Sequence, residues 1–233
     1  SLPQRLGSSA TAVLGIAGVV AVTVSVLSIA QGILHTMENS AQPDNVIVMR
    51  SGATSEMMSG LSGDEARWIS ESPGLAPAED GPLSSAELFV IIDVPLKSTG
   101  TAANVPMRGV SPSAPQVRQN FKIVEGRMFE PGLNEVIVGV GGQASFMGLE
   151  VGNSITIAQE EWPIVGSFTT NGGISETEIW VDSAVLQQSY RRGNSYQAVY
   201  AKLQSPDEFQ TFKDALTTDP RLNVKVMKAE DYY

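Results

Sequence analysis

The strongest pattern along the chain is one long, predominantly apolar stretch near the N-terminus, from Ala10 to Leu34. Its 25 residues include no Asp, Glu, Lys, Arg or His. A helix of this length reaches about 37 Å, and the hydrocarbon core of a bilayer is about 30 Å thick. A signal peptide has a shorter apolar core, of about 7 to 15 residues, and a buried core helix is rarely apolar on every face. The pattern therefore predicts a membrane-spanning helix with a short extension, together covering residues 1–40.

Small residues recur along one side of this predicted helix. Spacings of four and three place them on a single face, which consists of Thr11, Gly15, Gly18, Ala21, Ser25, Ser28 and Gly32. Lipid provides no hydrophobic drive for helix association, so membrane helices pack closely over small residues. The alternative is that Gly, Ala and Ser are simply common in membrane helices. We interpret the face as one that packs against a partner helix.

After the helix, two units with the order strand, helix, strand lie far apart in the sequence. The helix of the first unit begins at a capping box, with Ser62 three residues before Glu65. The helix of the second begins after Ser205-Pro206 and carries a stripe that we predict to be buried, made of Phe209, Phe212 and Leu216. The four strands are predicted at residues 45–49, 88–94, 198–203 and 223–227. We predict that the two βαβ-like units, over residues 41–103 and 194–233, form one split sheet with both helices on one face.

Between these units, residues 104–193 contain short strand patterns separated by turn residues. Strands are predicted at residues 105–110, 135–140, 154–158, 163–168 and 178–181, and helices at 143–147 and 182–191. Pro106 cannot donate a hydrogen bond to a neighbouring strand, so the first of these strands is predicted to lie at a sheet edge. The spacing is typical of a compact β-rich subdomain inserted into the split one. The predicted fold class is therefore α+β.

Charge is distributed unevenly along the chain. The net formal charge is −10, and because Arg5 is the only charged residue before Leu34, the rest of the chain carries −11. An acidic chain without a Lys/Arg cluster is a poor nucleic-acid binder. Arg5 precedes the span, whereas Glu38 and Asp44 follow it, so the positive-inside bias places the acidic domain outside the inner membrane. The absence of cysteine excludes a disulfide scaffold and a thiol nucleophile.

Residue types that perform catalysis are scarce. His35 is the only histidine and lies at the end of the predicted span, where a Ser-His-Asp triad has no other histidine to use. Carboxylates lie close together in sequence at Glu79-Asp80, Glu160-Glu161, Glu176 with Glu178, and Glu230-Asp231. We interpret these pairs as solvated acidic loops rather than acid–base pairs. Gly139-Val140-Gly141-Gly142 lacks the lysine of a phosphate-binding loop. We therefore predict no catalytic residue, no cofactor and no metal ligand.

Two loops are candidates for contacts with other molecules. Asn171-Gly172-Gly173 is typical of a flexible turn between strands, and a loop tip that contacts a partner is the alternative reading. Residues 51–60 are predicted to form a mobile loop, in which Met57 and Met58 either offer an adaptable apolar contact or are simply exposed loop side chains. Neither signal is specific.

A series of short motifs carries a resemblance to a known family. The motifs are Glu125-Gly126-Arg127-Met128-Phe129, Asn134-Glu135-Val136-Ile137-Val138-Gly139, Gly148-Leu149-Glu150-Val151-Gly152-Asn153-Ser154-Ile155, Trp162-Pro163-Ile164-Val165-Gly166-Ser167-Phe168, Glu176-Thr177-Glu178-Ile179-Trp180-Val181-Asp182 and Glu230-Asp231-Tyr232-Tyr233. Their order resembles the extracytoplasmic core domain of the MacB and FtsX-like permease family of ABC transporters. An N-terminal span followed directly by this domain is also similar to the layout of that family.

The resemblance implies a permease with four membrane helices and a large periplasmic domain between the first and the second. It implies that the domain divides into a split, porter-like part and an inserted β-rich part. The implied partners are an ABC ATPase subunit, a second copy of the permease or a related permease, the lipid bilayer, and a periplasmic adaptor or substrate protein. The implied mechanism is mechanotransmission, in which cytoplasmic ATP hydrolysis rearranges the periplasmic domains to export or extract a substrate. On this reading, the chain is a part of the permease.

Two other functions compete with a permease component. One is a single-span, membrane-anchored periplasmic binding or sensor module that works without an ATPase. The other is a membrane-tethered hydrolase, for which the sequence nominates no residues. Further apolar stretches of about 20 residues in the coding sequence beyond Tyr233 would favour the permease.

Overall fold

A computed structural model describes residues 2–40, 42–79, 81–118, 120–157 and 159–232, with the backbone alone described for residues 2–12 and 37–40. The chain begins with one long helix, α1 (Leu2–Ser40). Within it, Val13–Thr36 has a mean hydropathy of 2.5 in its most apolar window, none of which is buried against the rest of the chain. This helix is therefore long and apolar enough to cross a membrane. Asp80 and Tyr233, which belong to two of the sequence motifs, lie outside the described residues.

The remaining elements alternate between short helices and strands. The other helices are α2 (Gly63–Ser70), α3 (Ala114–Val117), α4 (Val140–Ser145), α5 (Ser183–Ser189), α6 (Phe209–Thr217) and α7 (Ala229–Tyr232). Single 3₁₀ turns occur at Glu56–Met58, Ile174–Thr177 and Pro206–Glu208. The strands are β1 (Asn45–Arg50), β2 (Leu61–Ser62), β3 (Pro77–Ala78), β4 (Gly81–Pro82), β5 (Ser84–Pro95), β6 (Ala102–Val110), β7 (Lys122–Gly126), β8 (Val136–Gly139), β9 (Ser154–Ile157), β10 (Glu160–Thr169), β11 (Ile179–Asp182), β12 (Ser195–Tyr196), β13 (Ala198–Lys202) and β14 (Val224–Lys228).

The two βαβ-like units pair as the sequence predicts. Strands β14, β1, β13 and β5 lie side by side in this order, and each neighbouring pair is antiparallel. Helices α2 and α6 cover one face of these strands, where Ile69 and Phe212 pack with Val46 and Val199. The capping box at the start of α2 is formed in both directions between Ser62 and Glu65. Local caps and helical spacing therefore predicted this part of the fold correctly.

The prediction that the strand containing Pro106 lies at a sheet edge is wrong. Strand β6 is central, because it pairs with β5 on one side and with β11 on the other. The pairing with β11 begins only at Met107, opposite Ile179, whereas Pro106 pairs only with Ile91 of β5. Proline is tolerated here because its missing N–H faces the side of β6 that has no partner strand at that point.

One sheet runs through the whole domain in the described part of the chain. Beyond β5 its order continues as β6, β11, β8, β10 and β7, and β9 pairs with β10. We call the four strands β14, β1, β13 and β5 the β1 end of the sheet, and the strands from β11 to β7 the β10 end. The β5–β6 hairpin joins the two ends, since residues 84–87 of β5 pair with β13 and residues 88–95 pair with β6.

Two apolar clusters lie on the sheet face that is opposite α2 and α6. The first, at the β1 end, contains Ile47, Met49, Ala198 and Tyr200. The second, at the β10 end, contains Val110, Ile137, Phe168 and Trp180. In the second cluster Phe168 and Trp180 have ring centroids 4.6 Å apart. The space between the two clusters is filled by charged side chains.

Candidate functional site

Five charged side chains lie buried together between these two apolar clusters. They come from separate parts of the chain: Glu56 from a 3₁₀ turn, Glu87 from β5, Arg108 from β6, Arg118 from the end of α3, and Glu178 from the residue before β11. We call this set the ion network. Each of the side chains is less than a tenth exposed. Charged residues are rarely buried unless they are paired, and these residues are paired with one another.

Arg108 is the centre of the ion network. Its Nε and Nη2 donate to the two carboxylate oxygens of Glu178 at 3.0 and 2.8 Å. Its Nη1 donates to Glu56 at 2.8 Å and to Glu87 at 3.0 Å. Arg118 donates to the same oxygen of Glu87 at 2.6 Å. Paired hydrogen bonds of this kind fix geometry as well as charge, so Arg108 holds together both ends of the sheet.

The register of the strands explains why these side chains share one face. Glu87 lies opposite Ala198, Phe89 lies opposite Arg108, and Arg108 lies opposite Trp180. Residues directly opposite each other on neighbouring strands point to the same side of a sheet. Aromatic rings line the network, since the Arg118 guanidinium lies 3.7 Å from the ring centroid of Tyr200. Tyr200 also donates a hydrogen bond to Glu56.

The carboxyl groups of Glu87 and Glu178 differ in their electrostatic environment. Burial raises the pKa of Glu87, and the charges of Arg118 and Arg108 offset this effect only in part. Burial also acts to raise the pKa of Glu178, but the charge and hydrogen bonds of Arg108 outweigh it and hold that pKa below its ordinary value. With three carboxylates and two guanidinium groups, the fully ionised network carries a net charge of −1.

A second feature, the loop that joins β10 to β11, lies directly beside the ion network. We call residues 169–178 the junction loop. Oε1 of Glu176 accepts hydrogen bonds from the hydroxyl of Thr169 and from the backbone N–H groups of Thr170 and Gly172, at 2.8 and 2.9 Å for the latter two. Partial burial acts to raise the pKa of Glu176, but these hydrogen bonds lower it below its ordinary value. One carboxylate therefore holds the loop in a defined shape.

The C-terminal end of α1 contacts the domain at the junction loop and at α7. Gly172 has a φ of +89°, and a β-carbon placed on it would lie 3.7 Å from the imidazole of His35. In α7, the hydroxyl of Tyr232 accepts a hydrogen bond from the backbone N–H of Glu56 at 3.2 Å. The end of α1 therefore contacts the junction loop and α7, and both of these elements are hydrogen-bonded to members of the ion network.

The junction loop also packs tightly against the end of strand β8. The backbone N–H of Gly139 donates to the carbonyl of Glu178 at 2.9 Å. A β-carbon on Gly139 would lie 2.1 Å from the carbonyl oxygen of Glu176, closer than any real contact. The φ of Gly139 is −64°, which any residue adopts, so close approach is the reason for glycine here.

Replacing Gly139 with Ala is expected to displace the junction loop. The added carbon clashes with backbone rather than with a flexible side chain, so we expect a loss of about 1–3 kcal/mol in the free energy of unfolding, the usual cost of overpacking. Chemical unfolding followed by tryptophan fluorescence measures it. Gly132→Ala is not a suitable control, because φ at Gly132 is +84°. Gly60→Ala is suitable, because nothing lies within 4 Å of a β-carbon there, and equal losses in the two variants would contradict the close packing.

Several residues singled out from the sequence take different places from those expected. The interpretation of Glu176 and Glu178 as a solvated acidic loop is wrong, because Glu178 is buried against Arg108 and Glu176 organises the junction loop. Residues 51–60 are not a featureless loop, since their 3₁₀ turn buries Glu56. Met57 and Met58 are exposed, and their use as an apolar contact stays a prediction. Asn171-Gly172-Gly173 forms the tip of the junction loop and contacts the end of α1.

The small-residue face lies on the exposed surface of α1. Ala21, Ser25 and Ser28 are exposed, and nothing in the described part of the chain lies within 4 Å of a β-carbon placed on Gly15, Gly18 or Gly32. Ser25 donates its hydroxyl to the carbonyl of Ala21 at 2.8 Å, within the helix. The use of this face by a partner helix stays a prediction.

The ion network as a unit is not predictable from the spacing of residues in the sequence. Glu56 and Tyr200, which are in contact, are 144 positions apart in the chain, and no spacing rule connects such residues. One sequence signal points to a buried charge. Arg108 is the only charged residue in the predicted strand Val105-Pro106-Met107-Arg108-Gly109-Val110, which is otherwise apolar. In the described residues, no group of three or more His, Cys, Asp or Glu side chains is placed to hold a metal ion.

A family model and several solved structures match this chain. The sequence matches the MacB-like periplasmic core domain over residues 9–219. A search of curated protein sequences gives no significant match.

Solved structures show the same fold at low sequence identity. The periplasmic region of MacB from Actinobacillus actinomycetemcomitans aligns with a TM-score of 0.60 and 10% identity, covering 85% of this chain and 94% of that one. The extracellular domain of the ABC-type transporter YknZ from Gram-positive bacteria aligns with a TM-score of 0.56 and 13% identity, covering 79% and 100%. A permease domain from Porphyromonas gingivalis aligns with a TM-score of 0.52 and 14% identity, covering 79% and 88%.

Proposed function

Because this chain belongs to the MacB-like periplasmic core domain family of ABC transporter permeases, we propose that it supplies the first membrane span and the periplasmic domain of such a permease. In this role the chain hydrolyses no ATP itself. It couples ATP hydrolysis in a separate cytoplasmic subunit or domain to the export or extraction of a substrate outside the inner membrane. The observation that carries the proposal is the contact of the end of α1 with the junction loop and α7.

The coupling follows from how the junction loop is held. A shift of α1 at His35 acts on Gly172, and Glu176 ties Gly172 to Thr169 and Thr170 at the end of β10. The same loop ends at Glu178, which is bound twice by Arg108. Rigid, hydrogen-bonded elements move as bodies rather than deforming, so the shift reaches both ends of the sheet.

The proposal includes a division of the domain and a set of partners. We propose that residues 41–103 and 194–233 form the split, porter-like subdomain and that residues 104–193 form the inserted β-rich one. The apolar cluster beneath α2 and α6 supports this division, because all its buried members come from residues 41–103 and 194–233. Strand β5 links the two parts, since Leu88, Val90 and Val94 pack with residues of the inserted part. The partners are an ABC ATPase, a second permease copy or a related permease, the bilayer of the inner membrane, and a periplasmic adaptor or substrate protein.

Co-purification tests the proposed function. The chain is expressed with its native downstream coding sequence and its neighbouring genes, extracted in mild detergent and analysed by mass spectrometry. We expect an ABC ATPase to co-purify in stoichiometric amount and to hydrolyse ATP in the complex. Isolation of the chain alone, as a stable single-span protein, would instead support a sensor or binding module and overturn the permease assignment.

Bulky substitutions on the small-residue face test the proposed helix packing. Ala21→Phe or Ser25→Phe is expected to weaken assembly of the permease, because phenylalanine keeps the two helix backbones apart. The matched control is Val20→Phe, on a different side of the exposed helix. Size-exclusion chromatography and ATPase assays of the complex measure the effect. Native assembly and ATPase activity in both face variants would refute the use of this face.

A further inference from the structure

A cavity with a volume of about 470 Å³ lies between strands β5 and β9. It touches consecutive residues on each strand, namely residues 91–95 of β5 and residues 154–157 of β9. Side chains of consecutive strand residues point to opposite faces of a sheet, so a cavity that touches all of them lies along the strand edges rather than over one face. The cavity is therefore a groove between two strand edges, and we call it the edge groove.

The edge groove is the gap in an incomplete barrel. From β5 the sheet continues through β6, β11, β8 and β10 to β9. Side chains from the first and the last of these strands, among them Val94 and Ile157, pack in one apolar cluster, so the sheet curls until β9 approaches β5. In the described part of the chain, no pairing joins β5 to β9. The barrel therefore stays open at the edge groove.

Backbone groups of β5 point into the groove without a partner. Ile91 lies opposite Pro106 of β6, which has no N–H to donate, so these two residues form a non-hydrogen-bonded pair. The N–H and C=O of Ile91 therefore point away from β6, and those of Asp93, two residues further, point the same way. The carbonyl of Pro95 continues the series and accepts a hydrogen bond from the N–H of Met147 at 2.8 Å. Within the described residues, the corresponding groups of Ile91 and Asp93 form no hydrogen bond.

The facing edge of β9 has the same property. Ser154 lies opposite Pro163 of β10, and in the next pair the N–H of Ile164 donates to the carbonyl of Asn153 at 2.8 Å. Hydrogen-bonded and non-hydrogen-bonded pairs alternate along an antiparallel ladder, so the backbone groups of Ser154 and Thr156 point away from β10. These groups also form no hydrogen bond among the residues that the structure describes. The edge groove therefore lies between two rows of unpaired N–H and C=O groups.

An extended polypeptide segment satisfies both rows at once. Its own N–H and C=O groups alternate between its two edges, and unpaired strand edges bind such segments by strand addition. A strand rises about 3.3 Å per residue, neighbouring strands lie about 4.8 Å apart and packed sheets about 10 Å apart, which gives about 160 Å³ per residue. The groove, with about 470 Å³, therefore holds about three residues of an inserted strand.

The direction of the inserted strand is also constrained. Three of the five pairings that lead from β5 to β9 are antiparallel and two are parallel, so β5 and β9 run in opposite directions. A segment between them is parallel to one strand and antiparallel to the other. Both kinds of pairing use the backbone groups that point into the groove.

The core side of the groove is apolar. Ile92 and Ile155 line it and pack against the apolar cluster inside the barrel, and Tyr190 at the end of α5 lines it as well. Side chains of an inserted strand alternate between the core side and the outer side. The segment that fits therefore has apolar residues at every second position.

Charge favours basic residues at the outward positions of the segment. Asp93 is exposed on the outer side of β5 and has no ion-pair partner among the described residues. On the other rim, Thr156 is exposed and lies opposite Glu161 of β10, which is also exposed. Opposite charges on neighbouring strands attract each other and like charges repel, so Lys or Arg is favoured over Asp or Glu beside this rim.

The remaining charged side chains near the groove are arranged consistently with this preference. Lys97 is paired with Glu150 at 2.8 Å, so this pair adds no net charge. Glu160 adds a negative charge where β10 begins. Arg191 and Arg192 follow α5, the helix that packs on the core side of the groove, so they adjoin the apolar positions of the segment rather than its outward ones.

We infer that the edge groove binds an extended segment of a partner protein in which apolar and basic residues alternate, and that this segment pairs as an added strand between β5 and β9. Its backbone bonds to Ile91 and Asp93 on one side and to Ser154 and Thr156 on the other. The location of the partner outside the inner membrane rests on the proposed function. Binding itself requires only the groove.

Amide hydrogen exchange, resolved by residue, tests the inference on the full chain in phosphatidylcholine nanodiscs. The probe is the peptide acetyl-Lys-Val-Lys-Val-Lys-amide. The control peptide has both valines N-methylated, so it keeps the charge and the side chains but lacks N–H donors along one edge. We expect saturable slowing of exchange at Ile91, Asp93 and Thr156 with the first peptide only. The amide of Ile92, which points to β6, is the internal reference and should not change.

Three results would overturn the inference. Equal protection by both peptides would show attraction by charge alone. Equal slowing at Ile92 would show a general effect on the sheet rather than pairing at its edge. The third is absence of protection at a peptide concentration of about 1 mM, where a site with a Kd of about 1 mM is half occupied.

Substitutions at the groove provide the second arm. Thr156→Pro removes an N–H that faces the groove and takes part in no pairing with β10, a place where strands tolerate proline. We expect it to weaken binding of the first peptide about tenfold, the equivalent of one backbone hydrogen bond. The matched control, Thr156→Val, keeps the N–H and should keep native affinity. Native affinity in the proline variant, or the same loss in both variants, would contradict the added strand.

The charge preference has its own variant. Asp93→Asn is expected to weaken binding of the first peptide about twofold to fivefold, the usual range for a cross-strand charge pair. Unchanged affinity would contradict the preference for basic residues. No ATPase is present in these measurements, so their failure leaves the proposed transport function standing, and absence of a co-purifying ATPase leaves the peptide result standing.

Discussion

Arg108→Met is expected to lower the free energy of unfolding by about 3–5 kcal/mol, the usual cost of removing one partner from a buried ion pair. The substitution keeps an apolar chain of similar length but leaves Arg118 as the one remaining cation of the ion network to face Glu56, Glu87 and Glu178. Methionine also lacks the guanidinium that bridges the two ends of the sheet. Urea unfolding followed by tryptophan fluorescence measures the loss, since Trp180 donates to Glu178 at 2.7 Å.

Arg127→Met is the matched control for this prediction. Arg127 also makes paired hydrogen bonds to a glutamate, Glu135, but its side chain is 49% exposed. Solvent screens such a pair, so its removal is expected to change stability far less. If both variants lose the same stability, burial does not distinguish the two arginines and the ion network is not the structural centre described above.

Glu87→Gln is expected to leave the domain at least as stable as the native protein at neutral pH. Burial raises the pKa of Glu87 in the folded state, so folding favours the protonated carboxyl group. The stabilisation is complete below the ordinary pKa of 4.5 and is lost as the pH rises through the raised value. Glutamine resembles the protonated acid and does not titrate, so the decline in native stability above pH 4.5 should become shallower in this variant.

Glu178→Gln is expected to behave in the opposite way. The pKa of Glu178 is held below its ordinary value, so the ionised form stabilises the fold above pH 4.5, and this contribution is lost as the pH falls through the lowered value. The variant should therefore be strongly destabilised at neutral pH, by about 3–5 kcal/mol, and should approach the native protein in acid. Unfolding curves at several pH values measure both variants. The same pH profile in both would contradict the different roles assigned to the two carboxyl groups.

Local signals in the sequence predicted the helices and strands. The ion network could not be predicted in this way, because it depends on which strands pair in the folded domain. The capping box of Ser62 and Glu65, and the stripe of Phe212 and Leu216, act within one or two helical turns, so spacing alone revealed α2 and α6. The split sheet followed from repeating one strand–helix–strand order. The central position of β6 could not be predicted from its proline. Proline excludes a partner strand only at the point where that strand would need the missing N–H, and β11 pairs with β6 only from Met107 onward.

The candidate site was hidden because its members are single charges scattered over the chain. Glu176 and Glu178 are two residues apart, yet one points into the junction loop and the other into the ion network. Their closeness in sequence suggested that both carboxylates lie in one solvated loop. In the fold they have separate partners. Burial of a charge depends on which partner the sheet places opposite it, and a strand pattern alone does not contain that information.

The central claim is that the junction loop transmits the motion of α1 to the periplasmic domain. The sequence analysed contains no cysteine, so Ser98→Cys, on an exposed turn, gives one spin label per copy once any cysteines in the ATPase and in the rest of the permease are replaced. The labels then report one distance between two permease copies. Pulsed electron paramagnetic resonance measures this distance with and without ATP in the reconstituted complex. Glu176→Ala removes the carboxylate that shapes the junction loop, and Glu161→Ala, at an exposed position of β10, is the control. We expect an ATP-dependent change of distance in the native protein and in the control. In the Glu176 variant we expect this change to be lost while ATP hydrolysis is retained. An unchanged ATP-dependent shift in the Glu176 variant would contradict the central claim.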